Sequence, residues 1–106
     1  MKARVTLVNP PYPKGAPQSL FLPLGLGYLA AVLEENQYEV NVIDCQTLRL
    51  SQQQFEAKLS KQNADIVGVT ASTLTFWPAV DIAKTAKKLL PNALTIIGGS
   101  HVSALP

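Results

Sequence analysis

Four short β-branched runs alternate with amphipathic stretches along this chain, and that alternation limits the fold more than any other feature. The runs are RVTLV at residues 4–8, EVNVID at 39–44, IVGVT at 66–70 and LTII at 94–97. Strands separated by helix-length segments build βαβ units, whose strands lie parallel. The second run is apolar only at alternate positions, as expected at a sheet edge. The third and fourth are nearly all apolar, as expected of strands covered on both faces.

Three helices fit between the strands. The first is predicted to start near Pro23, since proline suits a first turn, where its missing N–H costs no hydrogen bond. Leu26, Leu29, Ala30 and Leu33 then recur at i, i+3, i+4 and i+7 as one buried stripe, and Asn36 or Gln37 ends the helix. Ser51-Gln52-Gln53-Gln54 has the capping-box pattern and opens a second helix that buries Phe55 and Leu59. In the third, Pro78 stands at the first helical position, Ala79, Ile82, Ala83, Ala86 and Leu90 form the inner stripe, and Pro91 stops it.

Right-handed crossovers then place the first strand centrally, the second on one side of it, and the third and fourth on the other. The result is an α/β fold with a flavodoxin-like (Rossmann-like) parallel sheet of order 2-1-3-4. A full version continues with another helix and a fifth strand. This sequence of 106 residues reaches only GGSHVSALP at 98–106, so it is expected to be one domain, residues 1–106, of a larger protein. The last strand would then form an open apolar sheet edge.

Composition removes several function classes. Apolar residues make up 47% and charged residues 15%, a balance for buried strands and against disorder. The nine basic residues are scattered apart from Lys87-Lys88, so no stripe tracks a phosphate backbone and nucleic acid is not an expected partner. A single cysteine, Cys45, excludes an internal disulfide and any Cys-rich metal or iron–sulfur site in these residues. It reads as a small buried hydrophobe. The longest apolar run, residues 20–33, is broken by Pro23, Gly25 and Gly27 and is shorter than the ~20 residues that cross a bilayer. No signal peptide is visible, and a cytoplasmic location without membrane contact is expected.

In open parallel sheets ligands bind beyond the carboxyl ends of the strands, where the strand order reverses. That crevice is expected between the first and third strands, lined by Asn9-Pro10-Pro11-Tyr12, Thr70-Ala71-Ser72-Thr73 and Gly98-Gly99-Ser100-His101. Hydroxyls, amides and glycines without strong charge suit a large amide-bearing or flat ligand better than a bare phosphate. The alternative is that the glycines merely turn the chain and the hydroxyls merely cap the next helix. The irregular stretch at 9–22 is about 14 residues, against a usual ~4–6, which favours a functional loop. Gly25-Leu26-Gly27-Tyr28-Leu29-Ala30, with Asp44 at the end of the second strand, spells a dinucleotide fingerprint. Its first glycine, however, stands far from the strand end where the fingerprint needs it, so these glycines are read as allowing close helix approach. His101 is either an exposed loop residue or a ligand contact. Phe76 and Trp77 either stack on a ligand or pack in the core. No nucleophile–base–orienter set is visible, and neither catalytic nor metal-ligating residues are assigned.

Five segments together resemble one family. They are VNPP at 8–11, PLGLGYLA at 23–30, VID at 42–44, DIVGVT at 65–70 and IIGGSH at 96–101. Their order and placement are similar to the N-terminal cobalamin (B12)-binding domain of B12-dependent radical S-adenosylmethionine enzymes. The resemblance implies that cobalamin lies at the carboxyl edge, with the corrin facing a following barrel domain in cis. In such enzymes that barrel binds a [4Fe–4S] cluster and S-adenosylmethionine through a CxxxCxxC motif, which this chain lacks. These residues would thus supply only the cobalamin half, for a small-molecule substrate that the resemblance does not name. The D-x-H-x-x-G loop of other B12 folds is also absent, since His101 follows the fourth strand, so the resemblance implies cobalt with no histidine below it. Carried over by position, Asn9, Pro10, Pro11, Thr70, Ser72, Gly98, Gly99 and His101 are the expected cofactor contacts. Two other readings remain at this stage: a vestigial scaffold domain that binds nothing, and a flavodoxin-like nucleotide-binding domain.

Overall fold

A computed structural model describes residues 3–11, 24–46, 49–71 and 75–98. Seven elements follow in the order β1 (Arg4–Asn9), α1 (Leu24–Glu35), β2 (Glu39–Asp44), α2 (Gln52–Gln62), β3 (Ile66–Thr70), α3 (Phe76–Leu89) and β4 (Leu94–Gly98). The four strands form one parallel sheet in the order β2-β1-β3-β4. The expected α/β flavodoxin-like architecture is thus the observed one.

The reversal of direction after β2 puts the helices on both faces, because each right-handed crossover flips face when the chain changes direction along the sheet. On one face Leu26 and Ala30 of α1 bury against Val5 and Leu7, with Leu33, Val40 and Ile66 packed around them. On the other, α2 contributes Phe55 and Leu59 and α3 contributes Ala79, Ile82 and Ala86 to a larger core on Val8, Ile43, Val67 and Val69. Phe55 and Leu59 are each almost wholly buried, worth roughly 1.5–3 kcal/mol apiece in transfer free energy. Truncating Leu59 to alanine would cost about 2–5 kcal/mol and loosen α2 from the sheet.

Helix ends follow their local chemistry. Ser51 caps α2 reciprocally: its hydroxyl accepts from the Gln54 N–H while the Gln54 side chain accepts from the Ser51 N–H. Asn63 closes α2 in the left-handed region at φ 50°, a conformation asparagine tolerates. Helix α3 opens at Phe76, two residues before the expected start, so Pro78 occupies its third position. The misplacement costs nothing there, since none of the first four N–H groups has a partner within the helix.

Three packing expectations need correction. Leu29 is not in the buried stripe of α1 but 44% exposed. β4 is not covered on both faces: Leu94 and Ile96 are 58% and 49% exposed, because α1 lies over β1 and β2 and no described element shields β4 on that side. Gly27 does not serve close approach to the sheet, since a Cβ there would meet nothing within 4 Å. Among the described residues no helix is long and apolar enough to cross a membrane.

Candidate functional site

The sheet's carboxyl edge is split. β1 pairs with β3 only through Val5–Val8 against Ile66–Val69, whereas β1 and β2 stay in register to Asn9 and Asp44. β3 and β4 likewise stay in register to Thr70 and Gly98. Each pair is closed one residue further on by a backbone bond, Cys45 N–H to the Asn9 carbonyl at 2.9 Å and Ala71 N–H to the Gly98 carbonyl at 2.7 Å. Between the two closed pairs, the ladder between β1 and β3 ends first. This is the switch point of the sheet, where strand order reverses and a crevice is expected.

The β1/β2 side of the crevice is a polar network. Asn9, which is buried, donates from Nδ2 to Asp44 Oδ1 at 2.9 Å. The Gln46 backbone N–H donates to the same oxygen at 3.1 Å. The Gln46 side chain donates from Nε2 to the Pro10 carbonyl at 3.0 Å, and at a longer 3.4 Å to Asn9 Oδ1. Cys45, between them in sequence, turns into the opposite core, and its thiol is pushed up to about 12, first by burial and then by the neighbouring Asp44 charge. It is a packing residue, as expected, and holds no thiolate at neutral pH.

On the β3/β4 side, Thr70 is half-buried and Gly98 leaves its surroundings open, with nothing within 4 Å of a Cβ placed there. Of the expected contacts, Asn9, Pro10, Pro11, Thr70 and Gly98 all stand at this edge, while Ser72, Gly99 and His101 lie outside the described residues. Pro10 is fully buried and Pro11 half-buried. Asn9 reaches the edge, but its amide is engaged with the end of β2. Trp77 is not a core residue: it is 73% exposed on the first turn of α3, edge-to-face with Phe76 at 5.2 Å, and Phe76 alone reaches the core.

Gln46 is the edge residue that the sequence did not flag. It lies two residues past a strand end, in no motif, and only the register of β1 against β2 brings it under Pro10. Asp44 carried a signal, its position at the end of β2, and the structure sets it against Asn9 and the Gln46 N–H.

The described edge offers the Thr70 hydroxyl and backbone groups beside Gly98, where no described atom lies within 4 Å of a Cβ, while the Asp44 carboxylate is engaged with Asn9 and Gln46. That donor set fits a broad ligand whose rim bears amides, as a corrin's does. Among the described residues no group of three or more His, Cys, Asp or Glu could hold a metal ion.

Comparison with known proteins points the same way. The family described as the B12 binding domain matches residues 15–106. An uncharacterized methyltransferase of Pyrococcus horikoshii is 37% identical over 84 residues, covering 79% of this chain and 18% of its own length. The anaerobic magnesium-protoporphyrin IX monomethyl ester cyclase of Cereibacter sphaeroides is 31% identical over 103 residues, 94% of this chain and 17% of its own length. The cytidylyl-2-hydroxyethylphosphonate methyltransferase of Streptomyces wedmorensis is 33% identical over 102 residues, 79% of this chain and 19% of its own length. The chain thus spans under a fifth of the length of these relatives. No solved structure gives a significant match.

Proposed function

This chain belongs to the B12-binding domain family, and from that membership we propose that it holds cobalamin across the carboxyl edge of its sheet and presents the corrin to a separate radical S-adenosylmethionine barrel. The observation that carries the reading is the edge at the β1–β3 switch point, where the described ladder ends before those of its neighbours, in a chain whose family is defined by B12 binding. Thr70 and the residues around Gly98 would form one wall of the site, and the Asn9–Pro10–Pro11 exit from β1 the other. Ser72, Gly99 and His101 are proposed contacts on the same two loops.

A bound corrinoid supplies a cobalt centre able to accept and pass on a methyl group. The chain's own residues would do the rest: Thr70 and the backbone at Gly98 would hydrogen-bond the amide rim, with space left beside the strand end. The iron–sulfur cluster and S-adenosylmethionine belong, in this reading, to a partner barrel. Relatives named as methyltransferases and as a cyclase support a methyl-transfer or ring-forming reaction in the whole protein.

The test is titration with hydroxocobalamin, followed by calorimetry and visible absorbance, with flavin mononucleotide and NAD as controls. Saturable binding of cobalamin alone is the expected result. Binding of none of the three would favour a scaffold domain instead, and binding of a nucleotide alone would sink the cobalamin reading.

A further inference from the structure

Two prolines follow β1, and neither has an N–H to extend the ladder. Their rings fix φ, so the direction in which the chain leaves the sheet is set by ψ at Pro10, which also sets where the Pro10 carbonyl points. Among the described residues the Gln46 side chain holds that carbonyl, through Nε2 at 3.0 Å. Gln46 is itself held by its backbone N–H on Asp44 Oδ1, the oxygen that also accepts from Asn9. The end of β2 thus clamps the exit of β1 at a fully buried Pro10.

We infer that Gln46 is a positioning residue for cofactor binding: by fixing the Pro10 carbonyl it holds the Asn9–Pro10–Pro11 exit from β1 against the end of β2, at the switch point between β1 and β3. This rests on the reading of the edge as a cobalamin site. Gln46 acts through Pro10 rather than by touching the ligand, since its amide is spent on Pro10 and Asn9. Without the clamp the native strand remains, but the Pro10–Pro11 exit is no longer tied to β2 and this side of the site loses preorganisation.

Hydroxocobalamin affinity would be measured for wild type, Gln46→Glu, Gln46→Ala and Asp65→Ala. Gln46→Glu keeps the side chain's shape and removes its donor. Asp65→Ala removes one hydrogen bond, from the Arg4 N–H at 2.9 Å, at the opposite end of the sheet, and controls for a general loss of stability. Both Gln46 variants are expected to bind about tenfold more weakly, the equivalent of one lost hydrogen bond, and Asp65→Ala within about twofold of wild type. Wild-type affinity in Gln46→Glu, or equal weakening in Asp65→Ala, would overturn the positioning role while leaving the cobalamin reading intact. Failure of the wild-type protein to bind would remove the cobalamin reading, and the inference with it, and the wild-type titration alone distinguishes that case.

Discussion

Asn9 and Asp44 end neighbouring parallel strands in register, and their side chains are hydrogen-bonded at 2.9 Å across the carboxyl edge of the sheet. Because Asp44 Oδ1 also accepts the Gln46 N–H, one carboxylate oxygen ties together the end of β1, the end of β2 and the turn that follows. The polar residues on this side of the crevice therefore shape the edge before any ligand arrives.

Asp44→Ala deletes both of those bonds in a part-buried setting and leaves the Asn9 amide donor without its partner. A loss of about 2 kcal/mol is expected, the range for hydrogen bonds to a charged group. Urea denaturation at neutral pH would show it as a lower midpoint with an unchanged slope.

Burial holds the Cys45 thiol protonated in the native state up to about pH 12, against a value of 9.0 when solvated. A raised native pKa means that this contribution to stability is whole below pH 9 and is lost as pH rises from 9 towards 12. Wild type should accordingly lose urea midpoint more steeply than Cys45→Ala between pH 8 and about pH 10.5. Native protein should also resist iodoacetamide at pH 8 and react fully once unfolded. Rapid alkylation of the native thiol would contradict the burial argument.

Thr6 lies within the sheet, 1% exposed, and its hydroxyl makes no hydrogen bond among the described residues. Thr6→Val keeps the shape and removes an unpaired buried polar group, so it should raise stability by about 1 kcal/mol. A decrease in melting temperature would show that the hydroxyl has a partner after all.

Gly27 sits in the interior of α1 with open space where a Cβ would be. Gly27→Ala should gain about 1 kcal/mol of helix stability and raise Tm by roughly 4–8 °C. Cobalamin affinity measured alongside tells whether the outer surface of α1 contributes to the site: no change is expected, as Gly27 faces away from the sheet.

Much of the fold was legible because it rests on local patterns. The β-branched runs, the capping box at Ser51 and the apolar stripe Ala79, Ile82, Ala86 each reflect a period or a cap set by nearest neighbours in the chain. Strand order followed from handedness alone. Leu29 and the outer face of β4 were misread because periodicity tells that a residue is apolar, not whether anything lies opposite it. Trp77 was ambiguous for the same reason, since a first-turn aromatic can point inward or outward with the same neighbours in sequence.

The site divides along the same line. The α/β fold and the strand order follow from backbone twist and hydrophobic period, which leave few other solutions. The turn of Asn9 to Asp44, the reach of Gln46 to the Pro10 carbonyl and the early end of the β1–β3 ladder emerge only once the sheet is packed. Those contacts join residues about 35 positions apart through the register of two strands, and register is a property of the packed sheet rather than of any segment read alone.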